Sequence, residues 1–501
     1  MTATPGGEAT TLCAAFQATV ARIPDAVALR TVGGDTTITW SGYAARAAQI
    51  AVRLRALGVG RGDTIALLLT NRPEFHLVDT AAQHLGAVPF SLYHSSSPEQ
   101  IGHLLDVSGA RTVVTERRLA PLLHGRRLEN LIMVEDGLAQ DGPDAELPRV
   151  DIQPGDLLTL VYTSGTTGAP KRVEITHANM VAMCRSSAPA LGMRSGDRLI
   201  SFLPSAHIAD RWANHYLHTW AGTEVTTLAD PREIVTALRD VRPTLFGGVP
   251  QVWRRIAAGL ATLPPDTRLA ALGLDQVRVA ITSAAPAPAA MVEFLSSAGV
   301  PISEGWGMSE VSGLATLNPP GAVRPGTVGL PLPGVETRLA DDGELLVRGP
   351  MVTGGHLDAD GWLPTGDIAT SDDDGYLTIV DRKKELIITA GGENIAPAPV
   401  EMAIRTHCPA VAHVIVAGDA RPYLVALLVL DPEVPTDQDA VRAGIDAANR
   451  TLSRPEQIRA FEVVDDVWQP GGDLVTPTMK VRRRPALRAY EKHIDALYTG
   501  H

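Results

Sequence analysis

The sequence predicts an α/β protein of layered sheets, and two observations carry this prediction. Between Thr10 and Glu116, short apolar runs of strand length alternate with longer amphipathic runs. Strands and helices in alternation place helices against a parallel sheet. At 501 residues the chain also exceeds the size of a single hydrophobic core, which indicates two or more domains.

The elements of this stretch can be placed in order. The first helical run covers residues 44–57 and ends at the helix stop Gly58-Val59-Gly60, and the second covers residues 75–85. The strand-like runs are short and apolar, as expected for buried strands, and comprise residues 63–69, 87–90 and 110–115. Another apolar run, 157–162, follows a connection at 136–154 that is rich in Gly, Pro and acidic residues.

Composition and charge narrow the class of protein. Apolar residues make up 45% of the chain and charged residues 20%, as in soluble globular proteins. The formal net charge of -12 argues against a nucleic-acid partner, which favours a basic surface. No apolar run has the length of a membrane span, and residues 1–8 lack the basic and apolar regions of a signal peptide. Because Cys13, Cys184 and Cys408 have no metal-ligand spacing, we expect reduced thiols in a cytoplasmic protein.

The run at 157–162 leads into a loop of hydroxyl and glycine residues that ends in a lysine. Glycines let the backbone approach a ligand, hydroxyls add hydrogen-bond donors, and Lys171 adds a positive charge. The loop therefore suits a polyphosphate, although Ser, Thr and Gly also populate polar surface turns. It is not a P-loop, because Gly165 is followed by Gly168 and Lys171. The candidate nucleotide-binding residues in this loop are Thr163, Ser164, Gly165, Thr166, Thr167, Gly168 and Lys171.

Two later segments are rich in small residues, and the second also contains an aromatic ring and two carboxylates. The first, Ser283, Ala284 and Ala285, follows a strand-like run. In the second, small residues would let a flat base lie against the backbone, and Glu310 is a hard oxygen ligand suited to magnesium. Each residue alone has an ordinary structural alternative, as a core ring or a solvated acid. The candidates in the second segment are Glu304, Gly305, Trp306, Gly307, Met308, Ser309 and Glu310.

Taken in this order, the motifs resemble those of the acyl-adenylate-forming enzymes, the superfamily of acyl-CoA synthetases, luciferases and adenylation domains. The loop at 160–171 is similar to the superfamily's phosphate-binding signature. Residues 303–310 are similar to its adenine and magnesium segment, with Ser309 in place of the usual threonine. The resemblance runs from Trp40 to Tyr490 and rests on five spaced motifs in order, which makes it specific.

The resemblance implies two domains. Residues 1–383 would form an N-terminal domain that binds AMP and the acyl group. This domain would contain layered α/β sheets and a small β-barrel-like unit, in keeping with the short strand-like runs at 324–382. Residues 384–501 would form a small α+β lid domain, hinged to the first at Lys384.

The same resemblance assigns roles to three residues near and beyond the hinge. Asp367 would accept hydrogen bonds from the ribose hydroxyls, and Arg382 would meet ribose or phosphate. Lys480 matches the catalytic lysine of the long-chain acyl-CoA synthetases, and it would act from the lid.

Two segments bear on the class of acid. Residues 201–211 resemble the acyl-site motif of the long-chain synthetases, in which a histidine, here His207, lies beside the reacting carboxylate. Residues 243–253 also resemble that subgroup. The sequence departs from the long-chain pattern afterwards, because only residues 256–273 stand where a sizeable helical insert is usual. This departure leaves the acyl length open.

The function that the resemblance implies is ATP-dependent activation of a medium- or long-chain fatty acid to acyl-AMP, followed by thioester formation with coenzyme A. The cofactors would be ATP, Mg²⁺ and coenzyme A, and the catalytic residues Lys480, His207 and Glu310. One alternative is a fatty acyl-AMP ligase that passes the acyl group to a carrier protein. Another is a non-enzymatic nucleotide-binding protein, which the intact charged residues of the motifs disfavour. Peripheral contact with the inner face of the membrane stays open.

Overall fold

The computed structural model of the chain describes residues 6–138, 145–163, 171–432, 434–468, 472–476 and 481–499. These residues form two compact units. The first takes in the chain up to Glu336 together with Val347–Leu363, and the second takes in Thr337–Leu346 and the chain from Pro364 onward. In the described ranges, no helix is both long enough and apolar enough to cross a membrane.

The first unit contains three sheets and a hairpin. Its strands are β1 Val27–Thr31, β2 Thr37–Thr39, β3 Thr64–Leu68, β4 Val88–Ser91, β5 Thr112–Thr115, β6 Asn130–Met133, β7 Leu157–Thr163, β8 Lys171–Thr176, β9 Arg198–Ser201, β10 Glu224–Thr227, β11 Leu245–Gly248, β12 Val279–Thr282, β13 Ile302–Trp306, β14 Thr316–Leu317 and β15 Leu330–Pro331. The sheet orders are β4-β3-β5-β6, β2-β1-β10-β9 and β11-β12-β13-β14-β15, and β7 pairs with β8.

Most of the pairing in these sheets is parallel, as the alternation of strands and helices predicted. β3 pairs in parallel with both β4 and β5, β10 with both β1 and β9, and β12 with both β11 and β13. Parallel pairing brings the carboxyl ends of neighbouring strands to one edge of each sheet, which is where ligands of open α/β sheets bind.

Helices connect these strands and cover the sheets. They are α1 Leu12–Arg22, α2 Trp40–Ala56, α3 Pro73–His84, α4 Pro98–Ser108, α5 His177–Ala190, α6 Ile208–Asp210, α7 Leu217–Ala221, α8 Ile234–Val241, α9 Pro250–Ala261, α10 Arg268–Ala271 and α11 Ala289–Ser297. Helix α2 begins before the predicted residue 44, because Thr39 caps it by accepting a hydrogen bond from the Gly42 amide. Helix α5 opens at His177, where Thr176 and Asn179 form a capping box.

Apolar side chains from strands and helices form the cores of the first unit. One core joins β3 and β5 to α4 through Ala66, Val113 and Ile101. A second core packs α8, α9 and α11 against β11–β13 and includes Phe246 and Trp253, both almost fully buried. Burial on this scale, at about 25 cal/mol per Å² of apolar surface, fixes the strand ends that carry the candidate site.

The second unit is an α+β assembly. Its strands are β16 Glu336–Leu339, β17 Glu344–Arg348, β18 Leu363–Ser371, β19 Leu377–Arg382, β20 Ile387–Ile388, β21 Asn394–Ile395, β22 Val411–Ala417, β23 Leu424–Leu430 and β24 Ile458–Val463, of which β16–β18 lie mostly within it. Its helices are α12 Pro397–His407, α13 Gln438–Thr451, α14 Arg483–Ala489 and α15 Glu491–Thr499. The sheets have the orders β16-β17-β18-β19, β20-β21 and β22-β23-β24.

Candidate active site

The predicted nucleotide segments of the first unit lie at the carboxyl ends of two paired strands. Ser283-Ala284-Ala285 follows β12 directly, and Gly305-Trp306 ends β13. β12 and β13 are parallel, with Thr282 opposite Glu304, so both segments leave the sheet at the same edge. The structure therefore brings together two segments that the sequence places far apart.

The turn after β12 has an uncommon backbone. Ala284 has φ +71°, in the left-handed region that side chains with a Cβ rarely adopt. Its neighbour Ser283 donates its backbone N–H to Gly248 O at 3.4 Å, which ties the turn to the end of β11. Residues held in sparsely populated conformations often belong to functional sites, and Ala284 is one of the predicted site residues.

Two glycines let the backbone pack closely around Trp306. A Cβ added to Gly307 would lie 1.9 Å from Gly313 O, and one added to Gly305 would lie 2.8 Å from the Leu314 side chain. The backbone of Trp306 itself pairs with Thr316 of β14. Any larger side chain at Gly307 would thus displace the turn that follows Trp306.

Glu304 is a buried acid on β13. Its side chain accepts a hydrogen bond from the Gly326 amide at 3.0 Å, and the residue is 6% exposed. Burial raises the pKa of Glu304 to about 7, an effect that the Gly326 amide only partly offsets. The carboxyl group is therefore partly protonated near neutral pH and anchors the loop that contains Gly326.

Glu310 lies in a single helical turn, Ser309–Val311, directly after Met308. The residue is buried, and its backbone carbonyl accepts from the Thr353 amide at 2.8 Å. Within the described ranges, no hydrogen bond or ion pair engages its carboxylate, and no three His, Cys, Asp or Glu residues form a metal-ligand cluster. A single carboxylate fits Mg²⁺, because this ion is usually held by one or two carboxylates together with substrate phosphates.

The candidate phosphate loop is described only at its two ends. Thr163 ends β7 and Lys171 begins β8, and the two residues are paired directly across the hairpin. Lys171 is exposed at this position. The predicted residues Ser164, Gly165, Thr166, Thr167 and Gly168 lie outside the described residues, as does Lys480.

His207 caps a short helix in the predicted acyl segment. Its Nδ1 accepts a hydrogen bond from the Ala209 amide at 3.1 Å, and its own amide donates to Pro204 O at 2.8 Å. Because Nδ1 accepts a hydrogen bond, the neutral ring carries its proton on Nε2. The side chain is half-buried and follows the carboxyl end of β9, on the same strand-to-helix connection as the predicted motif.

Two buried charged residues, three and four positions after His207, were not among the predicted site residues. Asp210 accepts from Ser201 Oγ at 3.1 Å and from Asn214 Nδ2 at 2.7 Å. Arg211 donates to Ser91 Oγ at 2.8 Å and forms an ion pair with Asp79. The sequence holds one signal for them, because an Asp-Arg pair inside an apolar stretch must find partners when it is buried.

The acyl-type segments pack against each other. Phe202 stacks on Phe246 with ring centroids 5.6 Å apart, and Phe246 meets Trp253 edge-on at 5.3 Å. Trp253 also donates its indole N–H to Ile281 O at 2.9 Å, next to the strand end that carries Ser283. The two segments that resemble the long-chain subgroup therefore belong to one buried apolar core.

The second unit holds the predicted ribose site. Asp367 on β18 and Arg382 on β19 are opposite each other in the sheet, and Arg382 Nε lies 2.7 Å from Asp367 Oδ1. Asp367 is 2% exposed, and its amide donates to Thr365 Oγ1. The carboxylate is thus fixed in place by the sheet and by the guanidinium of Arg382.

Lys384 lies between residues that are tied to different parts of the second unit. Before it, Lys383 Nζ lies 2.7 Å from Glu344 Oε2. After it, Glu385 lies 3.7 Å from Arg483 Nε. Lys384 itself is exposed, in the single helical turn Lys383–Glu385.

Comparisons with known proteins agree with the motifs. The family model described as AMP-binding enzyme matches residues 16–357, and the one described as AMP-binding enzyme C-terminal domain matches residues 384–501. The chain is 32% identical to the long-chain-fatty-acid–CoA ligase FadD15 of Mycobacterium bovis, over 92% of each chain. It is 41% identical to a protein of Mycobacterium tuberculosis that is provisionally named fatty-acid–CoA ligase fadD11, over 70% of this chain and 75% of that one.

A solved structure has the same fold over nearly the whole chain. The O-succinylbenzoate coenzyme A synthetase of Bacillus subtilis, in complex with AMP, superimposes with a TM-score of 0.79 at 26% identity. The match covers 94% of this chain and 97% of that one. The predicted α/β fold is confirmed, and the chain belongs to the AMP-binding enzyme family, the acyl-adenylate-forming superfamily, close to its fatty acyl-CoA synthetases.

Proposed function

We propose that this protein uses ATP to convert a medium- or long-chain fatty acid to acyl-AMP and then transfers the acyl group to coenzyme A, releasing AMP and pyrophosphate. The observation that carries this proposal is the 32% identity, over 92% of both chains, to a protein named as a long-chain-fatty-acid–CoA ligase. The resemblance of residues 201–211 and 243–253 to the long-chain subgroup supports an acid with an apolar chain.

The nucleotide would be held by residues that the family resemblance assigns to its adenine, its ribose and its phosphates. Trp306 would border the adenine, and the close packing of Gly305 and Gly307 against residues 313–316 would hold the backbone of Trp306 in place. Asp367 would accept hydrogen bonds from the ribose hydroxyls while Arg382 holds it in place. The hydroxyl and glycine loop between Thr163 and Lys171 would surround the phosphates.

Charge neutralisation is the main chemical task in the first half-reaction. A fatty carboxylate and a triphosphate repel each other, so cations must bridge them. Lys171 and Lys480 would supply two of these charges, and Glu310 would hold the Mg²⁺ that supplies the third. Preorganised charge in a site that excludes water usually contributes more to catalysis than any other effect, and phosphoryl chemistry needs positioning more than covalent help.

His207 would orient the acid. Its Nδ1 is engaged by the Ala209 amide, so the N–H at Nε2 is the donor that the ring presents to an acceptor such as a carboxylate oxygen. The carboxylate oxygen then attacks the α-phosphorus and pyrophosphate leaves. In the second half-reaction the thiolate of coenzyme A attacks the acyl carbon and AMP leaves.

Two half-reactions with different needs favour two arrangements of the chain. Residues 1–383 would form the domain that binds AMP and the acyl group, and 384–501 the lid, with Lys384 as the pivot. The match of a separate C-terminal family model to residues 384–501 supports this boundary. The lid would present Lys480 for adenylation and the loop at 391–397 for thioester formation.

One assay tests the proposal directly. Purified protein is given ATP, Mg²⁺ and a long-chain fatty acid, with either coenzyme A or an acyl carrier protein as the acceptor. We expect thioester to form with coenzyme A, with release of AMP and pyrophosphate. Thioester only with the carrier protein would identify an acyl-AMP ligase instead, and absence of pyrophosphate release with every acid would refute adenylation.

A further inference from the structure

Helix α12 begins without a capping residue of its own. The residue at its N-cap is Ala396, and no side chain of the local sequence caps the first turn. Alanine is a poor N-cap because its side chain has no oxygen that could accept a hydrogen bond from the free amides of the first turn. Ala398 instead donates its backbone N–H to Asp381 Oδ2 at 2.7 Å. The helix is therefore capped from β19, by a residue that is 6% exposed.

Ion pairs on either side of Lys384 indicate which elements would move together if the chain pivots there. Arg382 is bound to Asp367 on β18, so this end of β19 stays with the sheet that precedes the pivot. On the other side, Arg483 of α14 binds Glu401 of α12, so α12 stays with the lid elements that follow the pivot. Asp381 belongs to the first set and Ala398 to the second.

We propose that Asp381 is a positioning residue that caps α12 in one orientation of the lid and releases it in the other, and so sets the balance between the two half-reactions. The inference rests on the proposed function, because it needs a lid that turns about Lys384. A rotation there moves α12 relative to β19 and separates Asp381 from the Ala398 amide. The cap then stabilises only the orientation in which the two meet, and no residue at Ala396 can replace it in the other.

The size of the effect follows from the value of a helix cap. Loss of a good N-cap typically shifts a helix equilibrium about fivefold, equivalent to about 1 kcal/mol. Because this cap exists in one orientation only, its loss shifts the populations of the two orientations by the same factor. Asp381→Asn keeps a carbonyl oxygen that can accept from the Ala398 amide, whereas Asp381→Ala keeps none.

The full-length protein is assayed in two separate half-reactions. Adenylation is followed as pyrophosphate release from ATP and fatty acid, and thioester formation is followed from supplied acyl-AMP and coenzyme A. We expect Asp381→Ala to change the ratio of the two rates about fivefold, and Asp381→Asn to restore it to within about twofold of the wild type. An unchanged ratio, or an equal fall of both rates, overturns the proposal.

A matched control separates this role from ordinary helix capping. Asp437 caps α13 by accepting from the Ala440 amide at 2.8 Å, and both residues follow the pivot. Asp437→Ala removes a comparable cap, but the two residues of this cap lie on the same side of the pivot. The ratio of the two half-reaction rates should therefore stay at its wild-type value. If Asp437→Ala changes the ratio as much as Asp381→Ala does, the effect is general destabilisation and the proposal fails.

Amide hydrogen exchange gives a readout that does not need activity. In Asp381→Ala the Ala398 amide should exchange faster than in the wild type by about the same fivefold factor, whether or not the acid and acceptor are correctly identified. Protection of this amide in the wild type should differ between the ATP-bound protein and the protein with AMP and coenzyme A. Equal protection in both states would overturn the proposed release of the cap, while a wild type that makes no thioester would instead refute the proposed function.

Discussion

Gly307 shows how a single residue can decide whether the nucleotide segment forms. A Cβ at this position would lie 1.9 Å from Gly313 O, and that atom belongs to backbone, which cannot move aside as a flexible side chain can. The substitution Gly307→Ala should therefore displace the turn after Trp306. We expect ATP binding to weaken at least tenfold, since about 1.4 kcal/mol suffices for that factor and displaced backbone costs more.

Isothermal titration with ATP and a thermal melt would separate lost binding from lost folding. Gly155 is the matched control, because a Cβ there would meet no atom within 4 Å and its backbone does not have a positive φ. Gly155→Ala should bind ATP like the wild type. ATP affinity in Gly307→Ala equal to that of the control would show that this turn does not shape the nucleotide site.

At the scale of elements, the buried ion pair of Arg211 and Asp79 clamps the segment that carries His207. Arg211 follows the short helix capped by His207, while Asp79 lies on α3. Arg211 also reaches Ser91 at the carboxyl end of β4, and Ser205 donates to the same hydroxyl at 3.3 Å. The clamp therefore ties the end of one parallel sheet to the connection that leaves another.

Breaking this clamp should impair both stability and the use of the acid. Asp79→Asn leaves the Arg211 charge buried and unpaired, which typically costs about 3–5 kcal/mol in the free energy of unfolding. If His207 is displaced as well, KM for the fatty acid should rise while KM for ATP changes little. Urea unfolding and steady-state kinetics measure the two effects.

Two sets of control variants accompany Asp79→Asn: one breaks an ion pair at the surface, and the other replaces both residues of the buried pair. Asp230→Asn breaks an exposed ion pair with Arg232 and should leave both stability and KM near their wild-type values. The double substitution of Asp79→Leu with Arg211→Met should recover much of the stability, because no unpaired charge remains buried. Recovery of stability without recovery of the KM for the acid would support the positioning role, whereas wild-type KM in Asp79→Asn would contradict it.

The local elements could be predicted from sequence, and the clamp could not. β3 and β5 are recognisable because each is a short apolar run whose pattern is complete within a few residues. The Arg211–Asp79 contact joins residues 132 positions apart, and periodicity carries no information about which buried charges meet. The cap of α12 by Asp381 was missed for the same reason, although Ala396 at the N-cap is a visible sign that a capping group must come from elsewhere. The division into domains at residues 1–383 and 384–501 came from the family resemblance and stays a prediction.

For the molecule as a whole, buried histidines should make stability depend on pH. Burial lowers the pKa of His84 and His177 to about 4 and that of His218 to about 3, from an ordinary value of 6.5. All three lie in the first unit. In the unfolded chain they bind protons near pH 6.5, while in the folded chain they stay neutral until about pH 4.

The direction in which the free energy of unfolding changes with pH follows from the difference in bound protons between the unfolded and folded states. As pH falls from 6.5 towards 4, the unfolded state gains protons that the folded state does not bind, so the free energy of unfolding decreases. The slope approaches about 1.4 kcal/mol per pH unit for each histidine. Urea unfolding between pH 7.5 and 5, followed by tryptophan fluorescence, measures this slope. His84→Gln should flatten the slope, the exposed control His103→Gln should not, and a stability independent of pH below 6.5 would contradict the prediction.

Acyl-chain selectivity is a property of the whole molecule, and its expected pattern rests on the proposed function. Each buried methylene contributes about 0.8 kcal/mol, and about 1.4 kcal/mol is a tenfold difference, so a few methylenes separate medium and long acids from acetate by orders of magnitude. Only residues 256–273 stand where the long-chain synthetases usually have a helical insert. We therefore expect kcat/KM to rise from acetate to a broad optimum without a sharp length cutoff. The measurement is kcat/KM over saturated acids of graded length with coenzyme A as acceptor, and a maximum at acetate or with an aromatic acid would contradict the fatty-acid assignment.

Gly247 offers a way to test whether the acyl chain lies along the face of β11 that is opposite to Phe202 and Trp253. It lies on β11 next to Phe246, and a Cβ there would meet no atom within 4 Å, so a larger side chain fits without displacing backbone. Because successive side chains of a strand point to opposite faces, Gly247→Leu projects away from the Phe202 and Trp253 core. If acyl chains run along this face, the variant should shift the optimum to shorter acids while adenylation of those acids keeps its wild-type rate. The control Gly155→Leu should leave the profile unchanged, and an identical profile in Gly247→Leu would place the acyl chain elsewhere.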